Sequence, residues 1–441
     1  MTSTAETLST AAAQDRGCQD PIVRRVPFFY GWLMLPVAMV AQVATSPGQT
    51  FGISVFTSSF RESLGLSHSQ LTGAYLLGTL LASLPVPMIG GLMDRFGMRR
   101  MILVVVTLLG MACLFTSQIS GLISLFFAFL LLRMIGQGVL TLLAANTLAM
   151  WFHDRLGTVL GMTSMAMAGA IAIVPPLLLH LIDSYGWRAT YAIMGVAVWV
   201  IVLPIVVVFY RNRPEDVGQV PDGRGPKRRG RNAASTAGIT TGSDFDLEAA
   251  IRTRSYWILL ANNAVWGLVA TAIVFHIVSI CDQVGLSRST AAGTFTTFAV
   301  FMALMQLVGG LLADRVALNV LLTVGVSGLA CGVIILIHVD QAWEAHFYAA
   351  TFGASQGLVG VSSNTAWARY FGRTHLGKIR GSTWTAAVAG SAIGPFIMGL
   401  ALDHFGSYQP ALWLFVGMFV PMALAALLAT PPTPRIAEPG L

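Results

Sequence analysis

The sequence predicts an all-α polytopic membrane protein, twelve transmembrane helices arranged as two pseudo-symmetric six-helix bundles. Three observations carry that prediction. Of 441 residues, 55% are hydrophobic and only 10% charged, where soluble domains carry about 25% charged residues. Apolar runs of about 20 residues or more recur along the chain, each long enough to cross a hydrocarbon layer roughly 30 Å thick. The two halves also repeat one another at a shift of 220 residues.

The apolar runs place helices 1 to 12 at 28–57, 69–92, 100–118, 121–150, 156–182, 187–210, 255–281, 288–313, 318–338, 342–370, 377–402 and 408–430. Helix 1 is expected to break at Ser46-Pro47-Gly48, because proline removes a backbone donor; membranes tolerate such breaks only beside protein or a cavity. Pro85 and Pro87 predict a bend in helix 2, and Pro175 and Pro176 one in helix 5.

The repeat covers a whole six-helix unit. Gly65, Ser67, Ser69, Gly73, Gly90, Asp94 and Arg95 recur as Gly285, Ser287, Ser289, Gly293, Gly310, Asp314 and Arg315. Gly157, Gly161, Pro175, Asp183 and Gly186 recur as Gly377, Gly381, Pro395, Asp403 and Gly406. The domain plan is therefore a tail (1–27), a first bundle (28–210), a linker (211–254), a second bundle (255–430) and a closing tail (431–441). The linker is charged, rich in glycine and proline, and lacks apolar periodicity. Its Asp244–Ala250 piece reads as solvated spacer or as a short amphipathic surface helix, and composition favours the spacer. Parallel repeats of this kind mark carriers that alternate access around a midplane site between the halves.

With both termini in the cytoplasm, cytoplasmic segments hold 22 of the 26 Lys and Arg, which orients the chain in the inner (plasma) membrane. That loop clustering also accounts for the +7 net charge, so nucleic acid is not implied. The tail before helix 1 ends in Arg24 and Arg25 and precedes a full-length span, which reads as no cleaved signal peptide. Four scattered cysteines form no redox or metal motif. There is no nucleotide loop, no clustered metal-ligand set and no nucleophile beside a base, so no enzyme and no cofactor is expected.

One stretch organises the rest: LLRMIGQGVLTLLAAN, Leu131 to Asn146, inside helix 4. Arg133, Gln137 and Thr141 follow at i, i+4 and i+8, on one helical face. A cation at mid-bilayer costs about 2.5–3.5 kcal/mol on insertion scales, so it faces a polar cavity or a partner. No acidic residue in the sequence falls in the middle of a predicted helix. Two readings stay open. Arg133 receives an anionic substrate, which its planar fork suits, or it bonds carbonyls freed by helix breaks or an edge acid such as Asp183 or Asp282.

Other polar side chains in the spans are candidates to line the same cavity or to join helices. These are Gln42, Ser46 and Gln49 on helix 1, Asn262 and Trp266 on helix 7, and Gln356, Asn364 and Trp367 on helix 10. His276, on the face of helix 7 that carries Asn262 and Trp266, titrates near neutral pH and is the candidate for a coupled proton; a hydrogen-bonded packing histidine is the alternative.

At 90–100 the chain reads GGLMDRFGMRR, between helices 2 and 3. This resembles the signature loop of the major facilitator superfamily, matched at Gly90, Asp94, Arg95, Gly97, Arg99 and Arg100. The second-half copy keeps Asp314 and Arg315. Tyr30-Gly31-Trp32, Ser46-Pro47-Gly48, Gly186-Trp187-Arg188 and the run from Arg213 to Gly218 are similar to the monocarboxylate-porter and oxalate/formate-antiporter branch. Porters of that branch often carry charged residues in helices 8 and 11; helix 8 here, TFTTFAVFMALMQLVGG, has none, nor does the middle of helix 11.

The resemblance implies a monomeric secondary carrier for a small organic anion such as a monocarboxylate, embedded in the lipid bilayer. Symport with a proton, antiport and uniport are all open. It also implies a cytoplasmic gate, with Asp94 set at the N-terminus of helix 11, where free amides and the helix dipole stabilise a carboxylate. Asp314 would make the matching contact to helix 5. The alternatives are an exporter of a neutral or drug-like solute on the same fold, and a membrane receptor that transports nothing.

Overall fold

The computed structural model describes residues 23, 25–85, 95–152, 155–220, 222, 245–313, 315–371 and 376–432. Among these residues eight helices are long and apolar enough to cross a membrane. One of them, Leu156–Phe209, is helices 5 and 6 run together across Gly186, whose φ of 79° turns the chain back. Helix 1 is missing from that set because it is broken, and helix 2 because its described part, His68–Ser83, is short. Helix 10, Ala342–Phe371, is the third, being rich in polar residues. All twelve predicted spans are thereby accounted for.

Helix 1 breaks where proline predicted. Gly31–Val43 gives way to a 3₁₀ turn at Ser46–Gly48, and the chain resumes as Thr50–Ser54 and Thr57–Leu64. The break is pressed into helix 4. There the α-helical Leu122–Leu131 widens to a π-helix over Leu132–Leu140 before returning to α at Thr141–Trp151. Two glycines allow the approach. A Cβ on Gly48 would fall 2.1 Å from the Leu132 carbonyl oxygen, and one on Gly136 3.2 Å from the Gly48 Cα. Backbone meets backbone there, so nothing can swing aside. Gly48→Ala is therefore expected to cost about 1–3 kcal/mol in forced displacement, read as a lower melting temperature of the purified protein.

Helix 3 is Met98–Ser117, and helices 7, 8 and 9 are Arg254–Gln283, Arg288–Ala313 and Leu318–Ile337. Helices 11 and 12 are Leu376–Phe405 and Gln409–Leu427. Helix 5 stays helical through Pro175 and Pro176.

The two ends of the molecule differ. At the linker end, Tyr30 at the start of helix 1 donates its hydroxyl to the Phe209 carbonyl at the close of helix 6 (2.8 Å). The far end carries the turns at Gly65, Gly186, Gly285 and Gly406, all left-handed, with φ of 63°, 79°, 73° and 67°. They pair at the 220-residue shift, so the repeat extends to backbone conformation.

The linker is described only at its edges. The expectation of a bare spacer is corrected at 245–251, where Leu247–Ile251 is helical. Asp246 caps it by accepting from the Ala249 amide (2.7 Å). Phe245 is buried and donates its amide to Phe371 at the end of helix 10 (3.1 Å), because an aromatic side chain there finds apolar surface.

Candidate functional site

Arg133 is 3% exposed. Its Nε donates to Thr79 of helix 2 (3.2 Å), and its Nη1 donates to the Gly48 carbonyl (3.2 Å) and to Thr50 (3.3 Å) in helix 1. The Gly48 carbonyl is available because the chain breaks there. The guanidinium also lies over the ring of Tyr75, 5.0 Å from its centre, a contact worth about 2 kcal/mol once water is excluded. The Tyr75 hydroxyl sits 3.0 Å from Thr50, which closes the ring of contacts.

The side chain is therefore not waiting empty-handed, and the carbonyl-bonding reading holds for part of it. Every contact is neutral, however, and among the described residues no carboxylate pairs with it. Three donors are used. The two N–H groups of Nη2 have no hydrogen-bond partner among the described residues.

The other candidates divide. Ser46 donates to the Val43 carbonyl and Asn262 to the Ile258 carbonyl (3.1 Å), so both turn back onto their own helices. A buried polar group satisfies itself locally when a carbonyl lies one turn away. Gln49 is held by Thr45 (3.0 Å). Gln42 and Gln137 are half-buried, and the main-chain nitrogen of Gln137 lies beside Gly48. Thr141 Oγ1, Trp266 Nε1, Gln356 Oε1 and Trp367 Nε1 are all buried without a hydrogen-bond partner among the described residues. Such groups cost about 1–3 kcal/mol each when unsatisfied. The four lie on helices 4, 7 and 10. Asn364 is exposed and has an interaction of its own.

His276 lies inside the wall between helices 7, 11 and 12. Nε2 is 3.0 Å from the Pro395 carbonyl and Nδ1 3.1 Å from the Tyr408 hydroxyl, which donates to Ser279 (2.9 Å). A carbonyl can only accept, so Nε2 carries hydrogen. With the Tyr408 proton turned to Ser279, Nδ1 can carry one as well.

Of the expected cytoplasmic gate, Gly90, Asp94 and Asp314 lie outside the described residues. Arg95, Arg100 and Arg315 are exposed. Gly97 is left-handed (φ 82°). Arg99 departs from the expectation: its amide donates to Asn212 (2.8 Å) and its guanidinium to the Val207 carbonyl. It ties helix 3 to the C-terminal end of helix 6 within one half, where the helix dipole favours a cation.

At the far end the structure shows a latch that sequence reasoning missed. Asp403, closing helix 11, accepts from the His68 and Ser69 amides at the start of helix 2 (3.1 and 2.7 Å). Asp183, at the far end of helix 5, accepts from Arg288 at the start of helix 8 (2.7 Å). The pairs are equivalent at the 220-residue shift, with His68 matching Arg288. The recurrence of Asp183 as Asp403 was the signal. Deeper in, Thr296 donates to the Ala172 carbonyl (2.8 Å), and the Tyr75 and Phe275 rings meet at 4.5 Å. A small cavity of about 10 Å³, room for roughly one water, is left between Arg61, His68, Leu71, Thr72, His276 and Ser279.

The sequence profile of the Major Facilitator Superfamily matches residues 28–389. The chain belongs to the major facilitator superfamily. This major facilitator is 22% identical over 427 residues to the oxalate:formate antiporter of Oxalobacter formigenes, covering 92% of this chain and 93% of the relative. It is 23% identical over 303 residues to the uncharacterized MFS-type transporter YhjX of Escherichia coli, across 67% of this chain and 69% of the relative. In structure it resembles a bacterial homologue of the human lysosomal transporter Spinster in its inward-facing, unoccupied conformation. The TM-score is 0.70 at 15% identity, over 91% of this chain and 97% of the other. The chain is thus a multi-pass membrane transporter of small molecules.

Proposed function

We propose that this major facilitator carries a small organic anion, such as a monocarboxylate, by alternating access. The carrying observation is Arg133: a buried guanidinium with neutral neighbours and one amino group still able to donate twice. Similarity to an oxalate:formate antiporter across nearly the whole chain supports the same substrate class. The anion would sit on Nη2, near Gln137 and Thr141, with Trp266 and Gln356 offered from the second half. Binding through both amino groups would require Nη1 to release Gly48 or Thr50. Gln42, Ser46, Asn262 and Asn364 stand further back in this reading.

The positive-inside bias puts the linker end in the cytoplasm, so the latched far end is the outer face and the conformation is closed to the outside. The loop from Gly90 to Arg100 would close the opposite face. Uptake by proteoliposomes tests the substrate assignment. Formate, acetate, lactate and oxalate would be offered in turn, and no uptake or exchange of any of them would overturn it.

A coupled proton is assigned to His276. The ring can hold two hydrogens against Pro395 and Tyr408, and it loses one by a turn of the Tyr408 hydroxyl. His276→Gln is expected to remove the dependence of uptake on a pH gradient while leaving exchange of internal for external anion in place. Uptake that stays gradient-driven in the variant would make His276 a brace between helices.

A further inference from the structure

Tyr75 belongs to two assemblies at once. One face of its ring receives the Arg133 guanidinium at 5.0 Å, and its hydroxyl meets Thr50, the same oxygen that accepts from Arg133 Nη1. The ring also touches Phe275 of helix 7, centre to centre at 4.5 Å, and Phe275 is followed by His276 and its bonds to helices 11 and 12. Tyr75 is fully buried. It is thereby the side chain through which the cation of the first half reaches the second half.

We infer that Tyr75 couples the loading of Arg133 to the opening of the far end. The inference rests on the anion reading given above. A cation holds an aromatic face by its charge. An anion seated on Nη2 neutralises that charge, and it draws the guanidinium away from Thr50 if it engages Nη1 as well. Both effects loosen the grip on the Tyr75 ring, which is the inner layer of the far-end seal. Because coupling between sites is reciprocal, whatever opens the far end must change anion affinity by the same factor. Tyr75 is a positioning residue in this scheme, and it need not touch the anion.

Thr72 supplies the readout, since it is buried in the seal one turn from Tyr75, against Gly399 of helix 11. Purified Thr72→Cys protein would be labelled with a membrane-impermeant maleimide, counted above protein lacking that cysteine. Formate, acetate, lactate or oxalate would be the probe, whichever most raises the melting temperature. The anion is expected to raise the labelling rate several-fold.

Tyr75→Leu is expected to abolish that response, and Tyr75→Phe, which keeps the ring, to retain it. Phe275→Leu leaves the surroundings of Arg133 intact; it is expected to lose the labelling response while keeping the anion's thermal shift. That variant carries the test if Tyr75→Leu does not fold. An undiminished response in Tyr75→Leu or Phe275→Leu overturns the coupling and leaves the anion reading standing. A thermal shift that survives Arg133→Lys, or none with any probe, overturns the anion reading and the coupling with it.

Discussion

Arg133→Lys is expected to lower anion affinity by at least about 100-fold and to abolish uptake at substrate concentrations that saturate the parent. Each hydrogen bond from a charged donor contributes about 1.5–3 kcal/mol, and the two N–H groups of Nη2 therefore supply about 3 kcal/mol or more. Lysine keeps the charge but presents it at a point, and an ammonium that takes over the Gly48 carbonyl, Thr50 and Thr79 has spent all three of its N–H groups. Arg133→Ala is a different experiment. It leaves Gly48, Thr50 and Thr79 facing a void and costs about 1–3 kcal/mol for each group left unsatisfied. The lysine variant should therefore be folded and inactive, and the alanine variant should also melt lower. Uptake by the lysine variant equal to the parent's would leave Arg133 as a clamp holding helices 1, 2 and 4.

Asp403→Ala is expected to open the far end. Its carboxylate binds two amides at a helix start, where the helix dipole adds to the bonds. Allowing for solvent exposure, about 2 kcal/mol is at stake, or roughly a 30-fold shift toward the open form. Asp183→Ala should do much less. Both partners of its ion pair are nearly half exposed, at 49% and 45%, and such pairs contribute about 0–1 kcal/mol. Labelling of Thr72→Cys ranks the two variants. Equal effects, or a larger one from Asp183→Ala, would contradict this account of the latch.

The sequence made the spans, the duplication, the break in helix 1 and a buried cation at Arg133 legible, because each depends on composition or on residues close together in the chain. It did not reveal what Arg133 touches. The partners Thr79 and Gly48 lie 54 and 85 residues away. Nor did the sequence reveal the π-helical stretch in which Arg133 and Gln137 fall, since a widened turn leaves no mark in the residue pattern. Ser46 and Asn262 looked like cavity residues because a helical wheel shows direction and not what a side chain bonds. The latch at Asp403 escaped for another reason: its partners are main-chain amides, which no residue type announces.

The two seams of that latch are built from different materials. One joins a carboxylate to peptide groups, and the other joins it to a half-exposed guanidinium. Dissolved ions weaken the second far more than the first, since the screening distance falls to about 3 Å in molar salt. Brine should therefore unzip the outer face along helices 5 and 8 while helices 2 and 11 still hold. The door would swing on one post, although the frame was made by duplication.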